Sequence, residues 1–241
     1  MWRATLFPTA GEAGGSYAAG SSRGGGWAAL EDEEVAAARS RAEAARRALT
    51  RVRRYSVANR LTKLGTLTYA GEGCRDPRVL RRDVADFMRN LRSSLGEPIP
   101  YLWVPEWHPN GHGLHVQFGL GRYVARGLIV RAWGRGFVDI RLLGDLPVGS
   151  GRIEIARRTA SYLGKYVAKT FATEDLRGLH RYEVAQGFQP PSLRLEGRSD
   201  VEILERASEH MGAEPTKRWY SNERKEWRGP PALWFQWATP L

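Results

Sequence analysis

The chain has 241 residues, enough for a sizeable core, with a formal net charge of +11 and a pI near 10.2. That excess points to a polyanionic partner, while the lack of a long apolar run or a signal-like N-terminus argues against a membrane span and a signal peptide. One cysteine, Cys74, excludes a disulfide framework and fits a reducing cytoplasm, and with no Cys-x-x-Cys a structural zinc site is not expected.

In chain order, residues 1–28 are rich in Gly, Ala and Ser without periodicity and read as a disordered tail whose removal should change little. From about 31 to 61 the chain lacks Gly and Pro, begins with the acidic "EDEE" and turns basic, which predicts a long helix matched to its dipole. Between Arg39 and Lys63 stand nine cations and one acid, Glu43. Arg46, Arg47, Arg53, Arg54 and Lys63 are therefore candidate DNA phosphate contacts, with a solvated helix as the alternative.

Residues 64–71 ("LGTLTYAG") alternate as a strand ended by glycine, and 77–95 form an amphipathic helix with Pro77 at its start. Two strands, 101–108 and 112–120, flank Asn110-Gly111, the sequence signal for a two-residue type I′ hairpin turn. In that register paired numbers sum to 221, so Glu106 faces His115, with Gln117 on the same side of the sheet. His112 falls on the opposite, core-forming face; His108 shares the ligand face as a substrate contact or spare ligand. Glu106, His115 and Gln117 supply a carboxylate, an imidazole and an amide oxygen, a set suited to Mg²⁺ or Mn²⁺.

Residues 136–143 predict a further strand, and 151–171 a helix formed by about Ala156. On that helix Tyr162, Lys165, Tyr166 and Lys169 share one face, and Ala156, Ala160, Leu163, Val167 and Phe171 gather on another. Arginine outnumbers lysine 32 to 5, so two lysines on the tyrosine stripe are informative. A tyrosine whose phenolate is stabilised by an ammonium and a divalent metal is a nucleophile for phosphodiesters. Late strands in "RYEVAQGF" and "ALWFQWA" and a helix over Asp200–Met211 complete an α+β pattern with a mainly antiparallel sheet. One domain is expected over 29–241, with a C-terminal extension from about 190.

Three stretches in order, "TLTY" (Thr66–Tyr69), "LHVQF" and "YLGKYVAK", resemble the motifs of HUH-type rolling-circle replication initiators, and Glu106 sits nine residues before His115 as a third ligand does in related initiators. "RRYSVANRLTKLGTLTY" and "HRYEVAQGFQP" resemble flanking sequence of actinobacterial plasmid and integrative-element initiators. The resemblance covers roughly residues 46–190. It implies an RRM-like sheet carrying the metal, with helices on one side and the tyrosines on a helix. It also implies nicking and joining of single-stranded DNA at a plasmid or element origin, with a 5′-phosphotyrosine link and a free 3′-hydroxyl. Tyrosine after histidine fits initiators better than conjugative relaxases. Gln117 departs from the commoner His-hydrophobic-His form, and the doubled Tyr-x-x-Lys resembles that of phage initiators using two tyrosines. No Walker A motif is present, so a host helicase is expected beside the DNA polymerase. The alternatives are a transposase or relaxase of the same chemistry, and a non-catalytic RRM-like binding module.

Overall fold

The computed structural model describes residues 1–18, 33–141, 150–172 and 180–241. The chain forms two compact units, Met1–Ala36 with Gln189–Leu241 and Ala37–Phe188, each with its own antiparallel sheet. The α+β class and the long N-terminal helix are as the sequence predicts; the single domain over 29–241 is corrected to two units.

The larger unit contains α1 (Glu33–Ala58, whose first residues fall in the other unit), β3 (Lys63–Tyr69), α2 (Pro77–Leu95), β4 (Tyr101–Trp107), β5 (Leu114–Leu120), α3 (Arg126–Trp133), β6 (Gly136–Arg141), α4 (Arg152–Ala172) and β7 (Glu183–Val184). Its strand order is β6-β3-β5-β4-β7. β5 is buried along its whole length, as a strand with apolar residues on one face and a covered polar set on the other must be. On one face Leu114, Val116, Phe118, Leu67 and Val138 pack against α2 and α3 through Phe87, Leu91 and Trp133. On the other, Leu64, Leu102 and Val104 pack with Val52 and Tyr55 of α1 and Leu163 and Val167 of α4. Helices thus cover both faces rather than the one expected: β4 has an apolar alternate set on each side, Trp103 on one and Leu102 and Val104 on the other, and both must be buried.

The Asn-Gly signal gives the right register for the wrong turn. Glu106 pairs with His115 and Tyr101 with Leu120, as the sum of 221 demands. The strands end earlier, though, at Trp107 and Leu114, and the loop closes through His108 N–H to the Gly113 carbonyl. Positive φ falls on Gly111 (74°) and Gly113 (96°) and not on Asn110, so no type I′ turn forms. At Gly113 the φ is required, and a Cβ would in addition lie 2.4 Å from the Cys74 carbonyl oxygen. α2 spans the predicted 77–95 and is capped by Asp76, whose carboxylate accepts from Arg78 N–H at 2.7 Å. The late strand expected in "RYEVAQGF" shrinks to two residues, and α3 forms where no helix was predicted.

The smaller unit overturns the reading of the N-terminus. β1 (Trp2–Phe7) and β2 (Glu12–Tyr17) are inner strands of a sheet ordered β8-β1-β2-β10-β9, with β8 at Leu193–Gly197, β9 at Lys217–Tyr220 and β10 at Ala232–Gln236. α5 (Asp200–Met211), at its predicted bounds, packs Ile203, Ala207 and Met211 on Ala4, Leu6, Ala13 and Phe235. Ala and Gly in β2 are not signs of disorder; they leave room for close strands, since a Cβ on Gly15 would lie 2.5 Å from Ala4 Cα. The rest of the supposed tail, 19–28, lies outside the described residues, as do 142–143 of the predicted strand.

Deleting residues 1–18 takes two inner strands out of this sheet. Limited proteolysis should then cut freely within 189–241 while 37–141 and 150–172 stay protected; a wild-type digestion pattern would restore the tail reading.

Candidate active site

Cross-strand pairing places Glu106 and His115 opposite each other on the α4 side of the sheet, with Gln117 two residues along β5. The His115 ring Nε2–H donates to Glu106 Oε2 at 2.9 Å, and Gln117 Nε2 donates to the same oxygen at 3.2 Å. Thr66 of β3, opposite Gln117 in the register, donates its hydroxyl to Gln117 Oε1 at 2.9 Å. From α4, Lys169 Nζ reaches Glu106 Oε1 at 2.9 Å. One carboxylate therefore gathers a histidine, an amide and an ammonium.

Burial works to raise the Glu106 carboxyl, but the hydrogen bonds and positive charge of His115 and Lys169 outweigh it and hold the group below its ordinary value. The tyrosines lie alongside: Tyr162 and Tyr166 hydroxyls are 2.6 Å apart and both side chains are half-buried. Lys169 Nζ stands 4.9 Å from the Tyr166 ring centre, and the Arg141 guanidinium 4.7 Å from that of Tyr162. Burial pushes the Tyr166 phenol well above its usual value; the Tyr162 hydrogen bond and the Glu106 charge add to the rise, and Arg141 opposes it. At rest this tyrosine is a neutral phenol.

The donor set fits a divalent metal. His115 and Gln117 already converge on one Glu106 oxygen, so a cation can replace the two protons between them. Turning the Gln117 amide over presents its oxygen to that point and leaves its NH₂ to donate to Thr66, whose hydroxyl accepts as readily as it donates. Among the described residues no group of three or more His, Cys, Asp or Glu side chains is placed to hold a metal, so the set depends on the amide of Gln117 for its third ligand.

The other sequence-nominated residues divide. His112 turns away and donates from Nε2 to the Tyr69 carbonyl at 3.0 Å, while His108 stacks edge-on to His115 at 5.2 Å. Lys165 is exposed and has no hydrogen bond or ion pair among the described residues, so Tyr162 lacks the lysine partner expected for it. Lys63 alternates with Thr66 to the opposite face of the sheet and lies over Tyr123 at 4.8 Å. In α1, Arg46 is exposed and Arg47 pairs with Glu43 at 3.7 Å, but Arg53 and Arg54 are half-buried, because the helix is covered from Ala48 onward. Sequence reasoning gave Thr66 only a place in the first motif and gave Arg141 no role. The signal for Arg141 was there: period two in "GFVDIR" sends Val138 and Ile140 to the core and Arg141 to the site.

Residues 62–171 match a family model of replication-associated proteins, the ORF2 family. Over this stretch the chain is similar to replication-associated proteins, and the match takes in Thr66, Glu106, His115, Gln117, Arg141 and the whole tyrosine stripe. It includes none of the smaller unit. No curated protein and no solved structure matches the chain.

Two measurements follow from this geometry. Titration calorimetry with Mn²⁺ should show binding lost in His115→Ala and kept in His112→Ala; equal loss in both would separate metal binding from the register. The second concerns acid. A carboxyl held below its ordinary 4.5 contributes stability that is fully present above that pH and is lost as pH falls through the lowered folded value. Lys169→Met should therefore melt lower than the parent above pH 4.5 in metal-free buffer, and the gap should close on acidification. A constant gap would assign the effect of Lys169 to packing.

Proposed function

We propose that the protein nicks and rejoins single-stranded DNA at a replication origin of a plasmid or mobile element by attack of a tyrosine. The observation that carries this reading is Lys169, whose Nζ is 2.9 Å from Glu106 Oε1 and 4.9 Å from the Tyr166 ring centre, joining the tyrosine helix to the carboxylate-imidazole-amide set. The similarity of residues 62–171 to replication-associated proteins supports the biological setting.

Tyr166 is the proposed nucleophile. Its hydroxyl oxygen bonds to phosphorus, the bond from phosphorus to the 3′-oxygen breaks, and the tyrosine's proton ends on that 3′-oxygen. The products are a 5′-phosphotyrosyl chain and a 3′-hydroxyl for the polymerase. One phosphodiester is exchanged for another ester, so the same site can run the step backwards and join. Mg²⁺ or Mn²⁺ held by Glu106, His115 and Gln117 would polarise a phosphate oxygen as a Lewis acid. Because Tyr166 rests as a neutral phenol, local positive charge is needed to release its proton, and Lys169 and Arg141 are the cations beside the two rings. Tyr162 holds the Tyr166 hydroxyl in place and is a second tyrosine within reach. The unwinding that the chain's motifs do not provide falls to a host helicase.

A denaturing gel with a labelled single strand should show a covalent adduct that requires divalent metal. It should vanish in Tyr166→Phe and form about five- to tenfold more slowly in Tyr162→Phe, which loses one hydrogen bond. An adduct that survives in the double variant ends the assignment. Binding should also depend on salt: replacing Arg46 and Arg47 should flatten the slope of log affinity against log salt by about 0.7 per phosphate contact on single strands. An unchanged slope makes α1 purely structural.

A further inference from the structure

α4 covers only part of the face that bears Glu106, His115 and Gln117. Thr66 pairs with Gln117 on one side and with Asp139 on the other, Thr68 with Phe137, and Leu64 with Arg141. Paired residues share a face, so Thr66, Thr68, Phe137, Asp139 and Arg141 belong to the same surface as the metal set. Here the surface is open: Thr66 and Thr68 are half-exposed, Asp139 is exposed, and Phe137 is 69% exposed on the edge strand β6.

A lone exposed phenylalanine is common and means little by itself. Three observations make this one specific. It is continuous with the site, two residues from Asp139 and four from the Arg141 that lies over Tyr162. It does nothing for the core, which β6 supplies from Val138 and Ile140. The segment 37–188 around it holds 27 lysines and arginines against 13 aspartates and glutamates, complementary to a nucleic-acid backbone.

Resting on the function proposed above, we infer that the open strip along β3 and β6 is the bed of the substrate strand, with Phe137 stacking on a base that flanks the scissile phosphodiester. Asp139 orients the strand. Its carboxylate repels phosphate, so bases face the Phe137–Asp139 stretch of β6 and the backbone runs toward the Arg141 end of that strand, beside α4. Phe137 is a positioning residue: it fixes where along the strand the phosphate meets Tyr166 and takes no part in bond exchange.

The test uses the full chain carrying Tyr162→Phe and Tyr166→Phe, so that nothing is cleaved, and fluorescein-labelled single-stranded oligo(dT). Adding Phe137→Ala should weaken binding about tenfold, as expected for one lost base–aromatic stack, with Phe137→Trp restoring it. The slope of log affinity against log salt should not move, because no charge is removed. In the tyrosine-bearing protein Phe137→Ala should raise KM more than it lowers kcat. Affinity within about twofold of the parent, or rescue by Phe137→Leu as complete as by Phe137→Trp, would overturn the proposal. An adduct that never forms, with Phe137→Ala still weakening binding, would remove the nicking reading and leave the strand bed standing. An adduct that forms normally with unchanged oligo(dT) affinity in Phe137→Ala would do the reverse.

Discussion

At Gly119 strand β5 has no side chain, and α4 fills the space: a Cβ there would lie 3.1 Å from Leu163 Cδ1 and 3.4 Å from Thr159 Cγ2. α4 meets α1 in the same manner, with Leu49 Cδ2 3.3 Å from where a Cβ on Gly164 would be. Gly119 thus sets how closely α4 approaches the sheet, and Gly164 how closely it approaches α1. Leu163 and Val167 then enter the cluster made by Val52, Tyr55, Leu64, Leu102 and Val104. Tyr162 stands beside Leu163, Tyr166 and Lys169 follow one and two turns along, and Lys169 comes within hydrogen-bond reach of a carboxylate on β4. A helix lifted by one methyl group would keep its residues and lose their meeting point.

The electrostatics of the site depend on that approach. Glu106 is half-buried, and its charge is kept by hydrogen bonds from His115 on the neighbouring strand and Lys169 on the helix. Burial first, then the Tyr162 hydrogen bond and this negative charge, keep Tyr166 protonated. An acid held ionised thus stands beside a phenol held neutral. In the proposed nicking reaction, added positive charge is what would release the phenol's proton, which ties that step to the arrival of cation and substrate together.

The two units divide the charge unevenly. Segment 37–188 carries the excess of cations, whereas the two segments of the smaller unit together hold 10 lysines and arginines against 13 aspartates and glutamates. The net charge of +11 is thus the property of one unit, the one matched to replication-associated proteins. The smaller unit has its own core around Leu6, Ile203 and Phe235 and contributes none of the site residues.

The sequence by itself determined the local matters. Period two in "LHVQF" and the Asn-Gly turn signal paired Glu106 with His115, and helical spacing aligned Tyr162 with Tyr166. These rest on interactions a few residues apart, where periodicity and backbone geometry leave little choice. Even the turn could be misjudged without harm, because six loop residues closed by His108 and Gly113 preserve the parity of a two-residue turn. What only the tertiary structure decided depends on segments distant in the chain. Strand β2, with Ala and Gly at its centre, is a weak β-former that orders because β1 pairs with it on one side and β10, more than 200 residues on, pairs with it on the other. Lys165 and Lys169 look equivalent in sequence, yet only Lys169 meets Glu106, since a residue four positions along a helix shares a face but not a position along its axis. Arg141 joins the tyrosines because β6 pairs with β3 and its last residue comes up to Tyr162 on α4. In each case the deciding contact spans a separation over which sequence pattern carries no distance information.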